Sequence, residues 1–291
     1  MPVSTGSCHT LRKAISYQHN KLSPAMRLVD LLRAIFFLKR KSEDLGSIVS
    51  FPKSGRTWLR VMLDKLNLPM RYTHDGSGYN ASRHFKDLQI GNKVPFRSRV
   101  LSIYFSPRRI LFLHRDPRDT AVSGYFQKTL RLGSKSEISM ADFIRDPHLG
   151  VEKVIIFNLM WLARGCKLKD FKSIGYEALR ADSVNGLANI AKWLRPDSAF
   201  GLSKVEEVVR ETSFKKMREQ EEKGELSKEY DEKTFGITVA SNPDSYKVRR
   251  GKIGGYTDYF SDKDLAYCDE LLARYDYFNR VRELSKQTGL L

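Results

Sequence analysis

Apolar side chains recur in two rhythms along this chain, and the rhythms alternate. Gly46 to Phe51 (GSIVSF) is a short β-type run that stops at Pro52-Lys53-Ser54-Gly55. From Arg56 to Leu68 the apolar residues stand at 58, 59, 62, 63 and 66, the period of a helix with one buried face. Strand, tight turn and helix in that order open a βα unit. A second unit starts at Arg109 to Leu113 (RILFL), an apolar block suited to a strand covered on both faces of a parallel sheet. His114-Arg115-Asp116-Pro117 follows. Asp116 suits a helix N-cap and Pro117 the first helical position, with the helix running on through Val122, Phe126 and Leu130.

Further along, 157–168 reads as helix, 172–176 as a short strand and 183–194 as a helix stopped by Pro196. Residues 204–217 read as one basic amphipathic helix, and 262–285 as helical. Between them, 219–250 is charged, punctuated by Gly, Asn and Pro, and hardly periodic; it reads as a mobile lid or a disordered insertion. Near the start, LVDLLRAIFFL (28–38) has an amphipathic pattern flanked by Arg27 and Lys39-Arg40-Lys41. That helix either packs on the core or makes peripheral contact with a membrane surface. It is too short, and too interrupted by Asp30 and Arg33, to span a bilayer. Residues 1–22 read as a flexible N-terminal tail. Strands alternating with helices, without internal repeats, predict a single α/β domain over 23–291, its mostly parallel central sheet flanked by helices.

Composition narrows the chemistry. With 41% apolar and 29% charged residues in 291, the chain is globular and neither collagen-like nor a coiled coil. Lys and Arg total 51 against 34 Asp and Glu, a net charge of +17, which favours anionic partners. Cys8, Cys166 and Cys268 are odd in number and form no CxxC, so a disulfide framework is not expected. With no recognisable leader or spanning segment, a reducing, cytoplasmic setting is the expectation.

The cations cluster where a parallel sheet binds ligands, beyond the carboxyl ends of strands. In PKSGRTW (52–58), Gly55 allows close backbone approach, the first amides of the next helix point at an anion, Lys53 adds charge, and Ser54 and Thr57 add hydroxyls. This is not a Walker loop, which needs its Lys after the second Gly; here Lys53 precedes Gly55. Trp58 offers either a flat face to a base or a core ring in the first turn. In HRDPRDTAVSGYF (114–126), Arg115 at the strand end and Ser123 in the helix could share a phosphate, or Arg115 could pair with Asp116 or Asp119. Lys247 to Gly255 (KVRRGKIGG) is a third basic, glycine-rich site that alone could be a solvated charge run.

Taken together, these segments resemble the sulfotransferases that use 3′-phosphoadenosine 5′-phosphosulfate (PAPS). PKSGRTW resembles the 5′-phosphosulfate loop PKSGTTW, and RDPRDTAVSGYF (115–126) the 3′-phosphate motif RNPxDxxVSxYxF. TSFKKM (212–217) is similar to TSFxxM, and RRGKIGGYTDYF (249–260) to the late RKGxxGDWKxxF. The resemblance implies a P-loop-NTPase-like sulfotransferase fold and in-line sulfuryl transfer from PAPS, leaving PAP, with no catalytic metal. It further implies that Lys53, Ser54, Gly55, Arg56 and Thr57 hold the phosphosulfate. Trp58, Thr212, Phe214 and Met217 would frame the adenine, with Tyr176 at the nucleotide. Arg115, Ser123, Arg249, Arg250 and Gly251 would hold the 3′-phosphate. Four departures stand out: Arg56 for the usual first Thr, Arg250 for the Lys of RKG, Gly255-Tyr256-Thr257 for Asp-Trp-Lys, and Ala178 for the aspartate of YED.

Within that reading Lys53 is the electrophile at the leaving oxygen, and a histidine the base for the acceptor. The family's KTHxP is absent. Arg71-Tyr72-Thr73-His74-Asp75 comes nearest, making His74 the base, with Asp75 as base or orienting group and His84 and His114 as competitors. Strand alternation should turn His114 away from Arg115. The acceptor would be a small molecule, lipid or glycan with a free hydroxyl, or an amine. Aromatics at 79, 85, 96, 104 and 105 favour an apolar entrance, whereas the basic excess favours an acidic glycan. Three other readings remain: a nucleotide or small-molecule kinase, a nucleic-acid-binding module, and a PAP-binding relative without activity. Against nucleic acid, the cations sit at βα junctions rather than along one helix face.

Overall fold

A computed structural model describes residues 44–74, 109–131, 138–198, 200–230, 235 and 242–290. The chain divides after Glu43, and Asp44–Leu291 is a compact unit. The expected tail and amphipathic helix, the boundary at residue 23, Asp75, His84 and the aromatics between 79 and 105 all lie outside the described residues.

Four strands form one parallel sheet in the order β2-β1-β3-β4: β1 Gly46–Ser50, β2 Arg71–Thr73, β3 Arg109–His114 and β4 Phe171–Gly175. Helix α1 (Arg56–Lys65) follows β1, and α2 (Pro117–Phe126) follows β3. Asp116 caps α2 by accepting the Arg118 N–H, with Pro117 opening the helix, as the sequence predicts. Both faces of β3 are covered, which is why its run is unbroken by polar residues. Leu111 and Leu113 pack with Leu59, Met62, Leu63 and Ile190; Ile110 and Phe112 pack on the other face with Val154, Phe157 and Trp161. The chain leaves β1 towards β2 and returns past it to β3, so β1 and β3 flank a topological switch point, where α/β sheets place their ligands.

Several boundaries differ from the sequence expectation. Helix α3 spans Met140–Arg145 and α4 spans Val151–Gly165, beginning six residues before the expected 157. Tyr176 opens α5 (Tyr176–Ala181) rather than ending β4, and α6 is Ser183–Leu194. The single helix expected over 204–217 is two, α7 (Leu202–Glu211) and α8 (Phe214–Glu222), broken at Thr212-Ser213. Where it is described, the stretch 219–250 carries regular structure. It holds the end of α8, helix α9 (Glu225–Tyr230) and a 3₁₀ turn at Pro243–Ser245, with Leu226 and Phe235 buried. Its charge hid this order, because the buried Glu221 accepts the Lys247 and Val248 N–H groups and so ties the stretch down with a charged residue. At the C-terminus α10 (Asp262–Arg274) and α11 (Tyr277–Thr288) are split by Asp276, which sits at φ 46°.

Candidate active site

The loop between β1 and α1 turns sharply, with Lys53 at φ 73° and Gly55 at φ 93°. A Cβ at Gly55 would also run into the Tyr176 ring, so glycine is required there twice over. The first N–H groups of α1 have no partner within the helix and face the strand ends. Lys53 Nζ donates to Gln127 Oε1 at 2.9 Å, on the π-helical turn Gln127–Arg131 that continues α2. The Lys53 carbonyl accepts from Arg115 Nη1 at 3.3 Å, which joins the first basic corner to the second.

Arg115 also lies 4.5 Å from the Tyr176 ring centroid and 3.6 Å from the carboxylate of Asp119, itself 2% exposed. Asp119 accepts the N–H groups of Gly254 (2.9 Å) and Tyr256 (3.0 Å), so one buried carboxylate fastens the late glycine-rich segment over the end of β3. In that segment Arg249 bonds Asp244 and the Tyr259 hydroxyl, and its guanidinium lies over the Phe126 ring at 4.5 Å. Arg250 pairs with Asp258 and also reaches Tyr259. Gly251, at φ 62°, presses on Phe214 where any Cβ would collide with the ring.

An aromatic slot stands beside these corners. Trp58 and Tyr176 meet edge to face at 5.8 Å. The Trp58 Nε1–H donates to the Thr212 carbonyl at 2.9 Å. That carbonyl lies at the break between α7 and α8, and the Thr212 hydroxyl turns back onto the Val208 carbonyl. The break that defeats the helical reading therefore frees an acceptor to aim the tryptophan.

His74 follows β2, beside the end of β1. Its Nδ1 lies 2.8 Å from the Ser50 carbonyl, which can only accept, so Nδ1 carries the proton and Nε2 keeps its lone pair. Burial, then the charge of Arg56, push the imidazole down to about 4, with Lys247 and Lys53 adding to the effect. His114 is also held near 4, by burial alone, and stacks on Phe112.

One cavity gathers most of the residues singled out from the sequence. Lys53, Gly55, Arg56, Thr57, Trp58 and His74 line it from β1, α1 and β2; Arg115, Ser123 and Tyr176 from β3, α2 and α5; Phe214, Met217, Arg249, Arg250 and Gly251 from the far side. Ser54 and Thr212 are fully buried and do not line it, and Asp75 is outside the described residues. Asp119, Gln127, Arg180 and Lys247 were not assigned roles from the sequence. Asp119 was visible as the Asp of the 3′-phosphate motif and Lys247 in the basic run; Gln127 carried no signal. Cations on three sides with an aromatic slot fit a polyanionic adenine nucleotide. Among the described residues no cluster of three His, Cys, Asp or Glu side chains is disposed to hold a metal ion.

The two depressed histidines give a pH prediction. Each binds its proton more readily unfolded, near 6.5, than folded, near 4. The stability they contribute is therefore complete above about pH 6.5 and is lost as pH falls towards 4. The thermal midpoint should drop across that window, and drop less steeply in His114→Phe; a midpoint flat from pH 6.5 to 4.5 in the parent chain contradicts this.

A parallel sheet whose strand ends carry a phosphate-type loop, a second cationic corner and an aromatic slot defines a nucleotide-using α/β protein. A family model described as the sulfotransferase domain matches residues 46–286. The chain belongs to that family and is a PAPS-dependent sulfotransferase. No curated protein sequence matches it. Among solved structures it is similar to mouse sulfotransferase SULT7A1 complexed with PAP (19% identity, 84% of this chain and 89% of that one, TM-score 0.55). It is also similar to retinol dehydratase in complex with androsterone and inactive cofactor PAP (14%, 82% and 84%, 0.52). A retinol dehydratase complex with retinol and PAP gives 15%, 84% and 85%, and 0.51. These likenesses confirm the expected fold, a parallel sheet flanked by helices.

Proposed function

We propose that Lys53 and His74 work on either side of the transferred sulfuryl group, Lys53 at the leaving phosphate oxygen and His74 Nε2 at the acceptor hydroxyl. Arg115, Ser123, Arg249, Arg250 and the Gly251 backbone hold the 3′-phosphate. Trp58, Tyr176, Phe214 and Met217 enclose the adenine, with Thr212 aiming Trp58 from behind. Ser54, Gly55, Arg56 and Thr57 complete the 5′-phosphosulfate loop. The observation that carries this reading is the convergence of both basic corners, the aromatic slot and a histidine of fixed tautomer on one cavity. In-line transfer asks for positioning and for stabilised charge on the leaving group, which a held ammonium and helix amides supply.

The acceptor is a small molecule, lipid or glycan with a free hydroxyl. A reducing, cytoplasmic setting goes with this proposal, supported by Cys166 and Cys268 being free thiols. Among the described residues no helix is long and apolar enough to cross a membrane. The test is thermal stabilisation by PAP against ATP-magnesium, then a screen of hydroxylated acceptors for sulfated product. A midpoint raised by PAP and not by ATP is expected; the reverse order would favour a kinase, and binding without transfer to any acceptor an inactive relative.

A further inference from the structure

Between the last residue of β3 and the first turn of α2 lies the peptide unit that joins Arg115 to Asp116. It stands past the sheet ladder, which ends at His114 against Gly175, and before the helix, which opens at Pro117. A peptide unit in that position has neither strand nor helix to pair its carbonyl and its N–H. Both groups are bonded all the same, and both to side chains brought from other elements. Asn158 Nδ2 on α4 donates to the Arg115 carbonyl at 3.2 Å, and the Asp116 N–H donates to Glu177 Oε1 on α5 at 2.9 Å.

Asn158 is 0% exposed and interrupts the apolar run VIIFNLMWLA (154–163). Its amide donates twice, to the Arg115 carbonyl and to the Tyr277 hydroxyl at 2.8 Å, so α11 steadies the donor that α4 supplies. Its Oδ1 is buried without a partner among the described residues. A leucine would fill the same space without leaving an acceptor unpaired, so packing alone does not ask for asparagine here. What asparagine adds is a fixed direction for the Arg115 carbonyl.

That direction matters because of the side chain attached to it. The Arg115 guanidinium lies over the Tyr176 ring, donates to the carbonyls of Lys53 and Lys252, and faces the carboxylate of Asp119. The ladder holds the chain before Arg115, and Asn158 and Glu177 hold the peptide plane after it. A Cα fixed on both sides gives its Cβ one direction, from which a long side chain reaches one place. Neither Asn158 nor Glu177 lines the cavity, so each acts on a ligand only through Arg115.

We infer that Asn158 and Glu177 are positioning residues for Arg115: they set its guanidinium for a 3′-phosphate and so give the site its preference for a 3′-phosphorylated adenine nucleotide over the plain 5′-nucleotide. This rests on the proposed 3′-phosphate corner and names the two residues that orient it.

The test is calorimetry with PAP and with adenosine 5′-phosphate (AMP). The parent protein should bind PAP more tightly. Asn158→Leu and Glu177→Ala should each lower the PAP-to-AMP affinity ratio by about tenfold, the lower end of what a charge-assisted hydrogen bond contributes, with AMP affinity within about threefold of the parent. Glu177→Gln, which keeps an acceptor for the Asp116 N–H, should keep the ratio. Made in an Arg115→Ala background, the same substitutions should lower the ratio no further. A ratio unchanged in a folded variant overturns the role of that residue, and a ratio lost in Glu177→Gln as fully as in Glu177→Ala does the same for Glu177. A further fall in the Arg115→Ala background would mark a general structural effect and overturn the inference as a whole. Should Asn158→Leu fail to fold, the two Glu177 variants decide. A parent protein that binds PAP no better than AMP would instead sink the 3′-phosphate assignment itself.

Discussion

Lys53→Ala is expected to lower turnover by about 10²–10³-fold, the loss that follows removal of one donor aimed at developing charge. A fixed backbone angle and two contacts make Lys53 more than a nearby cation. Its backbone is held at φ 73°, its carbonyl is fixed by Arg115, and its ammonium is bonded to Gln127. Ordering a free lysine costs roughly 1.5–2 kcal/mol in rotamer freedom, and here that ordering is accomplished by the fold. In the proposed role the ammonium meets the leaving oxygen without reorganising. Nucleotide affinity should suffer far less, because the 3′-phosphate corner and the aromatic slot do not depend on the Lys53 side chain. Calorimetry with PAP and single-turnover transfer separate the two effects. A variant that turns over within about threefold of the parent would remove Lys53 from the mechanism.

Most of the residues that line the cavity were legible in the sequence because its parts are local. A phosphate loop is a few consecutive residues at a strand end, and its glycine and cations can be read where they stand. Gly55, Arg115 and Ser123 belong to this class. The long-range links were not legible. Gln127 meets Lys53 across 74 residues and Asp119 meets Tyr256 across 137, so neither pairing leaves a local pattern. Charged segments misled for a related reason. The stretch after residue 219 lacks an apolar period, yet buried Glu221 organises it through two backbone N–H groups. Helix continuity over 204–217 failed because Thr212 and Ser213 tolerate a helix as well as a cap, and the tryptophan that claims the Thr212 carbonyl is 154 residues away. His74 lies between: its position after a β-type stretch could be read, but the parallel pairing of β2 with β1 that places it beside Ser50 could not.

That pairing gives the second large effect. His74→Ala should reduce kcat by about 10²–10³-fold, within the range for loss of a general base, with PAP affinity retained. Two pH profiles distinguish a base from a structural ring. In the free enzyme the imidazole is held near 4 by burial and by Arg56, Lys247 and Lys53. An imidazole with so low an affinity for protons is a weak base at neutral pH. A bound sulfonate offsets those same cations, which raises the affinity of Nε2 for a proton as the site fills. The acid limb of kcat/KM for PAPS should therefore lie below about pH 5, with that of kcat at higher pH, since the first reports the free enzyme and the second the loaded one. His74→Ala should abolish the kcat limb along with the rate. An unchanged rate in His74→Ala would move the base to Asp75 or His84, and limbs that coincide would show that the cations around His74 are not offset by the donor.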